Sequence, residues 1–196
     1  MNGELITTIV FYIILYTSLA CFAIPILFFL LWTFTGFFKK HIALFYVVAV
    51  ILFTAFPALF YFTQKFWILW FYPFPSWVQI AGLFLWFLAI IIVKVSEMNI
   101  GRLVRMFYPL LKGKKFHLKT TGIYKYLRHP IYAAFVLMVL GAVFYTGQLV
   151  LLLPLVFNLL TRTWYASKEE AYTKHIIIGD YDAYKKKTPN RFYPKF

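Results

Sequence analysis

The sequence is poor in charge and in cysteine, and each shortage excludes a class of protein. Charged residues make up 13% of the 196 residues, against about 25% in soluble globular domains, which excludes an ordinary water-soluble domain. The single cysteine, Cys21, excludes a disulfide framework and any metal site built on cysteines, and we expect no metal. Disorder is excluded as well, because disordered chains are poor in aromatic residues and 23% of this chain is aromatic.

Long runs without charge take the place of the missing charges, and they predict an all-α integral membrane protein. Three such runs lie in the N-terminal half and one in the C-terminal half, at 5–38, 42–63, 78–93 and 131–161. About 20 apolar residues cross a bilayer as a helix, and Pro25 predicts a kink in the first run. The last run is too long for one crossing, and Gly147 near its middle predicts a helical hairpin. We therefore expect five transmembrane helices.

The charges that are present lie almost entirely in the second half of the chain. Residues 1–93, which we expect to form three transmembrane helices, have a net charge of +2, and residues 94–196 have +12. The basic linkers alternate as the positive-inside rule requires for an N-terminus outside and a cytoplasmic C-terminus. A basic half on an apolar protein is typical of a cytoplasmic face near anionic lipid, so we expect no nucleic-acid partner.

A dense group of polar and aromatic residues precedes the fourth apolar run. The stretch 120–132 carries Gly122, Tyr124, Arg128, His129, Pro130 and Tyr132. Arginine and tyrosine at a membrane boundary often only contact headgroups. An adjacent Arg–His pair at that boundary is also suited to bind an anion or a cofactor.

A second group follows the fourth run. Glu169 and Glu170 are adjacent, and the residues after them include Gly179, Tyr181, Tyr184, Arg191 and Pro194. The simplest interpretation, which assigns no function to these residues, is a solvated helix with a basic tail. The alternative is a carboxylate that binds the ammonium group of a zwitterionic ligand near a basic membrane face.

Together the two groups resemble the isoprenylcysteine carboxyl methyltransferase and phospholipid methyltransferase family of integral membrane methyltransferases. That family has Gly-x-Tyr-x-x-x-Arg-His-Pro-x-Tyr before a helical hairpin, and a glutamate pair, Tyr-x-x-Tyr and a terminal arginine after it. The resemblance covers residues 94–196. It departs from the pattern at Ile178, where the family has Phe, and at Ala166, where the isoprenylcysteine branch has a substrate-binding Arg.

The resemblance implies an S-adenosylmethionine-dependent methyltransferase that acts on a lipid or prenylated acceptor from the bilayer. Residues 94–196 would then form one cofactor-binding and catalytic unit, with a cytoplasmic cofactor-binding loop, the hairpin and a C-terminal helix. The cofactor-binding residues it implies are His117, Leu118, Lys119, Gly122, Tyr124, His129, Pro130, Tyr132 and Glu170.

Roles follow from the same resemblance. Glu170 would hold the ammonium group of the cofactor, and His129, with Arg128, would hold its carboxylate. Arg128, Arg191 and Glu169 are the implied catalytic residues, with Glu169 as a base if the acceptor is an amine. Arg162 and Arg191 would bind the acceptor.

Two other functions stay open at this point. An NADPH-dependent membrane reductase of the sterol or steroid type has a similar Arg-His-Pro-x-Tyr segment. A non-enzymatic membrane scaffold would need neither cofactor. The sequence also leaves open whether the methyl acceptor is a carboxylate, an amine or a thiol.

Overall fold

The computed structural model describes residues 3–67, 69–100, 111–112 and 115–193. These residues are mostly helical, in nine α-helices: α1 Gly3–Ala20, α2 Ala23–Thr33, α3 Thr35–Lys40, α4 Ile42–Phe62, α5 Gln64–Trp67, α6 Ser76–Ile100, α7 Pro130–Thr146, α8 Leu152–Ile176 and α9 Tyr181–Lys187. Two short strands, β1 Phe116–His117 and β2 Ile177–Ile178, pair in parallel. Two 3-10 helices lie at Gly122–Lys125 and Leu149–Leu151.

Four helical segments of the described chain have the length and composition needed to cross a membrane. They are Glu4–Thr33, Ile42–Phe62, Ser76–Ile100 and Leu149–Ile176. Helix α7 is apolar but has only 17 residues. The predicted all-α membrane class is therefore confirmed, while five spans and a hairpin stay predictions.

The ends of α6 and α7 can be compared with the boundaries predicted from the sequence. Helix α7 ends at Thr146, where Gly147 takes the left-handed conformation with φ of 69°, close to the middle of the long apolar run. Helix α6 continues without interruption to Ile100. The predicted division at residue 93 thus falls inside α6.

The first apolar run is broken between α1 and α2, as Pro25 predicts. A proline in a helix has no N–H and clashes with the carbonyl four residues earlier, which here belongs to Cys21. That carbonyl accepts a hydrogen bond of 3.2 Å from the side-chain amide of Asn158. Asn158 is only 2% exposed. The Ile24 N–H also donates to the Cys21 carbonyl, at 3.3 Å. Since lipid offers no hydrogen bonds to a broken helix, α8 adds a partner where Pro25 has none to give.

Helices α6 and α7 pack with their backbones in direct contact. A Cβ atom added to Gly82 would lie 2.6 Å from the carbonyl oxygen of Gly141, and one added to Gly141 would lie 2.6 Å from that of Gly82. Small residues allow this close approach between membrane helices. Trp86 packs one turn further along α6 and is 7% exposed. This pairing places α7, which begins at the Arg–His motif, inside the bundle.

The outward faces of the bundle are apolar. Val50 on α4 and Phe84 on α6 are 63% and 66% exposed. Trp70, between α5 and α6, and Trp77, in the first turn of α6, are also exposed, and tryptophan is enriched at membrane–water interfaces. Such a surface is suited to lipid and not to water.

The loop before α6 pairs with the segment after α7. The Tyr72 N–H donates to the Gly147 carbonyl at 2.9 Å, and the Leu149 N–H donates to the Trp70 carbonyl at 2.8 Å. Gln148 is 6% exposed as a result. These two connections therefore lie at the same end of the bundle.

We expect Gly82→Ala to destabilise the protein, because its methyl group would overlap the backbone of α7. Overpacking of this kind costs about 1–3 kcal/mol. Thermal unfolding in detergent measures the loss. The matched control is Gly36→Ala, since a Cβ there meets no atom within 4 Å. Equal unfolding temperatures for the two variants would show that the α6–α7 contact is not close.

Candidate functional site

The C-terminal tail, residues 179–193, holds the loop that carries Arg128 and His129. The Arg128 N–H donates to the Asn190 carbonyl at 3.0 Å, and the His129 N–H donates to the Arg191 carbonyl at 2.9 Å. Pro130 then begins α7, a position where its missing N–H costs no helical hydrogen bond. The tail and the start of α7 together fix the positions of the Arg128 and His129 side chains.

The Glu170 carboxylate, on α8, lies at the centre of a buried ion cluster. Its Oε1 accepts from Arg128 Nε and from His129 Nε2, each at 3.0 Å. Arg191 binds it in a bidentate manner, with Nε at 3.1 Å from Oε1 and Nη2 at 2.9 Å from Oε2. Arg128 and Glu170 have side chains only 4% and 5% exposed. Three segments far apart in the sequence therefore meet at one carboxylate.

The cluster has more positive than negative charge. Arg128 Nη1 donates to the Thr188 carbonyl at 2.6 Å, and Lys185 Nζ lies 3.8 Å from Glu170 Oε2. Two guanidinium groups thus share one buried carboxylate, and a backbone carbonyl satisfies part of the excess. Buried charges need such partners, because desolvation is otherwise costly.

Glu169, the neighbouring residue, has a different environment. Its side chain is 30% exposed, and its Oε2 lies 3.7 Å from His129 Nδ1. The Tyr132 hydroxyl donates a hydrogen bond to the same oxygen. The Tyr132 ring stacks on the His129 ring at 5.1 Å between centroids, with 7° between the planes. Tyr132 therefore contacts both the Glu169 carboxylate and the His129 ring.

A cleft opens beside these residues, with about 570 Å³ of space including its mouth to solvent. Its walls come from the end of α6, the β1 segment, the first 3-10 helix, α8 and α9. The lining residues are Ile100, Phe116, His117, Leu118, Lys119, Tyr124, Arg128, His129, Glu169, Glu170, Thr173, Ile177, Tyr181 and Tyr184.

Pairing of β1 with β2 places the segment 116–119 against α8. Phe116 pairs with Ile177 and His117 with Ile178, and the Leu118 N–H donates to the Ile178 carbonyl at 3.1 Å. Gly179 follows with φ of 140°, a conformation that favours glycine. The sequence offers no signal for this two-residue sheet.

The structure brings most of the predicted site residues to the cleft. Those that line it are His117, Leu118, Lys119, Tyr124, Arg128, His129, Glu169 and Glu170. The other predicted residues, Gly122, Pro130, Tyr132, Arg162 and Arg191, are not among the lining residues. Pro194, part of the sequence pattern, lies outside the described residues.

Arg162 lies apart from the ion cluster. Its guanidinium carbon is 4.7 Å from the centre of the Phe192 ring and 4.8 Å from that of Tyr193, and Nη1 donates to the Tyr193 hydroxyl. Cation–π contacts of this kind favour the charged guanidinium. The predicted acceptor-binding arginine thus lies against the end of the C-terminal tail.

Some lining residues were not predicted from the sequence. Thr173 follows Glu169 and Glu170 at helical spacing, so periodicity along α8 is a signal that could have found it. Ile177 lies in β2, which the sequence does not predict. The Thr188 carbonyl, which accepts a hydrogen bond from Arg128, is a backbone group, so its role cannot be predicted from residue type.

Tyr184 ties the tail to the 3-10 helix. Its hydroxyl donates to the Tyr124 carbonyl at 2.8 Å. Burial raises the pKa of Tyr184 to about 12, so the hydroxyl stays protonated and acts as a donor. Burial also raises the pKa of Tyr124. The Tyr-x-x-Tyr spacing in the sequence therefore marks an aromatic wall with a structural hydrogen bond.

Comparisons with known proteins relate part of this chain to a family. The family model for phospholipid methyltransferase matches residues 77–177, just over half of the chain. Protein-S-isoprenylcysteine O-methyltransferase from Schizosaccharomyces pombe is 36% identical over 83 residues, which cover 40% of this chain and 34% of that protein. The chain thus aligns with about a third of that relative's length. No solved structure matches the chain.

We expect Glu170→Gln to destabilise the ligand-free protein, because it leaves two guanidinium groups without their carboxylate. Removing one partner of a buried ion pair costs roughly 3–5 kcal/mol. The measurement is thermal unfolding in detergent without ligand. Asp182→Asn is the matched control, since Asp182 pairs with Lys174 at an exposed position, and its unfolding temperature should stay near that of the wild type. A wild-type unfolding temperature for Glu170→Gln would contradict a structural role for the cluster.

Proposed function

This chain belongs to the phospholipid methyltransferase family, and we propose that it transfers a methyl group from S-adenosylmethionine to a lipid or prenylated acceptor. The observation that carries the proposal is the meeting of Arg128 and His129 with Glu170 within 3.0 Å at a cleft. All described residues that line the cleft come after residue 93, so residues 1–93 serve as the membrane anchor and support.

The residues of the cleft fit the parts of the cofactor. An amino-acid end needs groups of both signs, and the cleft has carboxylates at Glu169 and Glu170 and a guanidinium at Arg128. An adenosine needs flat or apolar walls, which Leu118 and Tyr124 supply. When bound, S-adenosylmethionine supplies a methyl group activated by its sulfonium. The predicted roles of His117, Lys119 and Gly122 beside the adenosine stay predictions.

Methyl transfer of this kind depends on alignment more than on proton chemistry. Positioning in a site that excludes water lowers the barrier to in-line displacement. Arg128 and His129 are held by the tail and by Glu170, so they are positioned before any ligand binds. The ion cluster thereby limits the reorganisation that the reaction would require.

The position of Arg162 along α8 supports a role for it in binding the acceptor. It lies eight residues before Glu170, about 12 Å at ~1.5 Å per helical residue, toward the apolar end of the helix. A carboxylate or phosphate that arrives from the bilayer would meet Arg162 before the cleft, and Arg191 would orient it nearer Glu170. If the acceptor is an amine, Glu169 is the candidate base, since its carboxylate is partly exposed.

Family membership favours methyl transfer over the NADPH-dependent reductase and over a scaffold. The test is incubation of the purified protein with methyl-labelled S-adenosylmethionine and a native lipid extract, followed by identification of the labelled lipid. We expect one labelled product class. A reductase would instead be stabilised to heat by NADPH, and a scaffold by neither cofactor.

We expect His129→Ala to weaken binding of S-adenosylmethionine and to abolish labelling, because the ring lies between both glutamates. Calorimetry and the labelling assay measure the two effects. His175→Ala is the control, since His175 is exposed at the end of α8. Wild-type affinity in His129→Ala would show that the cofactor does not bind at this cleft.

The proposed topology has five spans, an N-terminus outside and a cytoplasmic cleft. Cys21 is buried, so an introduced surface cysteine would react selectively with an impermeant reagent. We expect Leu69→Cys, next to the connection that pairs with Gly147, to be labelled from outside. Lys186→Cys, on α9, should be labelled only from the cytoplasmic side. Labelling of both from the same side would rule out this topology.

A further inference from the structure

We infer that a phospholipid of net negative charge binds where α3 meets α8, with its phosphate between Lys39 and Lys168. Its acyl chains would lie along an apolar surface that we call the α2–α8 seam, formed by Phe29, Leu160 and Trp164. None of these residues lines the cleft, so the lipid site is separate from the one where we propose methyl transfer. The inference goes beyond the proposed function and does not depend on it.

Helices α2 and α8 run in the same direction toward one membrane surface. The Phe28 ring stacks on the Tyr165 ring at 4.5 Å between centroids. Further along both helices, the Trp32 ring lies 5.8 Å from the Tyr172 ring. Since the later residue of α2 contacts the later residue of α8, the two helices are parallel. The last turn of α8 and the end of α3, which follows α2, therefore lie at the same side of the bundle.

The basic end of the α2–α8 seam has lysines beside a tyrosine ring. Lys39 Nζ lies 4.9 Å from the centre of the Tyr172 ring, which is a cation–π contact. Lys168 precedes Tyr172 by one turn of α8, so their side chains share a face of the helix. Lys39, Lys40 and Lys168 are exposed, while Trp32 and Tyr172 are half-buried beside them. Tryptophan and tyrosine are the residues enriched at the level of lipid headgroups.

No carboxylate of this protein is placed to neutralise these lysines. Lys39, Lys40 and Lys168 form no ion pair with any described residue. The chain has six acidic residues, and the structure describes all of them. Two pair with other lysines, one caps α9, two line the cleft and one begins the first membrane-crossing segment: Glu97, Asp182, Asp180, Glu169, Glu170 and Glu4. The negative charge that attracts these lysines therefore belongs to another molecule, and at a bilayer surface anionic lipid supplies it.

The seam continues from the lysines toward the bilayer centre as an apolar surface. Phe29 is 55% exposed, and its ring lies 6.3 Å from that of Trp164, which is 40% exposed. Leu160, one turn earlier on α8, is 75% exposed. At the same four-residue spacing, this ridge of α8 continues to Lys168 and Tyr172. The order from apolar to basic matches a phospholipid, whereas a free anion would contact only the basic end.

The experiment measures lipid binding to the purified full chain in a neutral detergent. Dioleoyl phosphatidylglycerol is the probe, and phosphatidylcholine with the same chains tests the need for net negative charge. Glycerol 3-phosphate tests whether a headgroup without chains is enough. Native mass spectrometry counts the bound lipid, and thermal unfolding measures its effect on stability. We expect phosphatidylglycerol to bind and to raise the unfolding temperature, and the other two compounds to do neither at the same concentration.

Three glutamine variants make the result specific. Lys39→Gln and Lys168→Gln should each weaken phosphatidylglycerol binding about fivefold, the effect of one basic residue at an anionic membrane surface. Lys39→Arg should bind like the wild type, because arginine keeps both the charge and the contact with an aromatic ring. Lys65→Gln is the matched control. Lys65 Nζ also lies 5.0 Å from a ring centre, that of Phe66, but Lys65 follows α4 and Lys39 precedes it, so they lie at opposite ends of that membrane-crossing helix. Unfolding without added lipid shows that each variant is folded.

Four outcomes would overturn the inference. Equal losses in all three glutamine variants would show non-specific attraction to a basic protein. Wild-type binding in both Lys39→Gln and Lys168→Gln would show that the lipid does not bind there. Equal binding of phosphatidylcholine would remove the requirement for negative charge, and equal stabilisation by glycerol 3-phosphate would show a site for a simple anion. None of these outcomes affects the proposed methyl transfer, because the residues of the cleft are unchanged in every variant.

Discussion

The buried carboxylate of Glu170 joins three parts of the chain that are otherwise separate. It receives hydrogen bonds from Arg128 and His129 before α7, and from Arg191 in the C-terminal tail. The tail is also held by the buried side chains of Tyr184 and Phe192 and by the two backbone hydrogen bonds from Arg128 and His129 to Asn190 and Arg191. Because the tail is held there, its residues Tyr181 and Tyr184 form one wall of the cleft.

The apolar bundle makes this polar arrangement possible by holding α7 and α8 in place. Direct backbone contact at Gly82 and Gly141 brings α7 against α6, and Asn158 anchors α8 to the break in the first helical run. In lipid, packing and internal hydrogen bonds must replace the hydrophobic effect between helices. Arg128 and Glu170 can therefore be aligned to hydrogen-bond distance although 42 residues separate them.

Adjacent glutamates on one helix have acquired opposite environments. Successive residues on an α-helix point about 100° apart, so Glu170 faces the guanidinium groups and Glu169 faces Tyr132 and the cleft. Two guanidinium groups pair with Glu170, whereas within the described residues His129 is the one basic side chain within 4.0 Å of Glu169. The difference in their partners follows from this difference in direction and not from residue type.

The sequence by itself determined the membrane class, the break near Pro25, the end of α7 near Gly147 and most residues of the cleft. These depend on hydropathy, on backbone chemistry and on a motif with characteristic spacing, all of which are local properties. Only the tertiary structure decided that Arg191 and Arg128 share one carboxylate, that β1 pairs with β2, and that Arg162 lies apart from the cleft. Such contacts join residues distant in sequence, and their geometry depends on how α6, α7 and α8 pack, which no local pattern encodes.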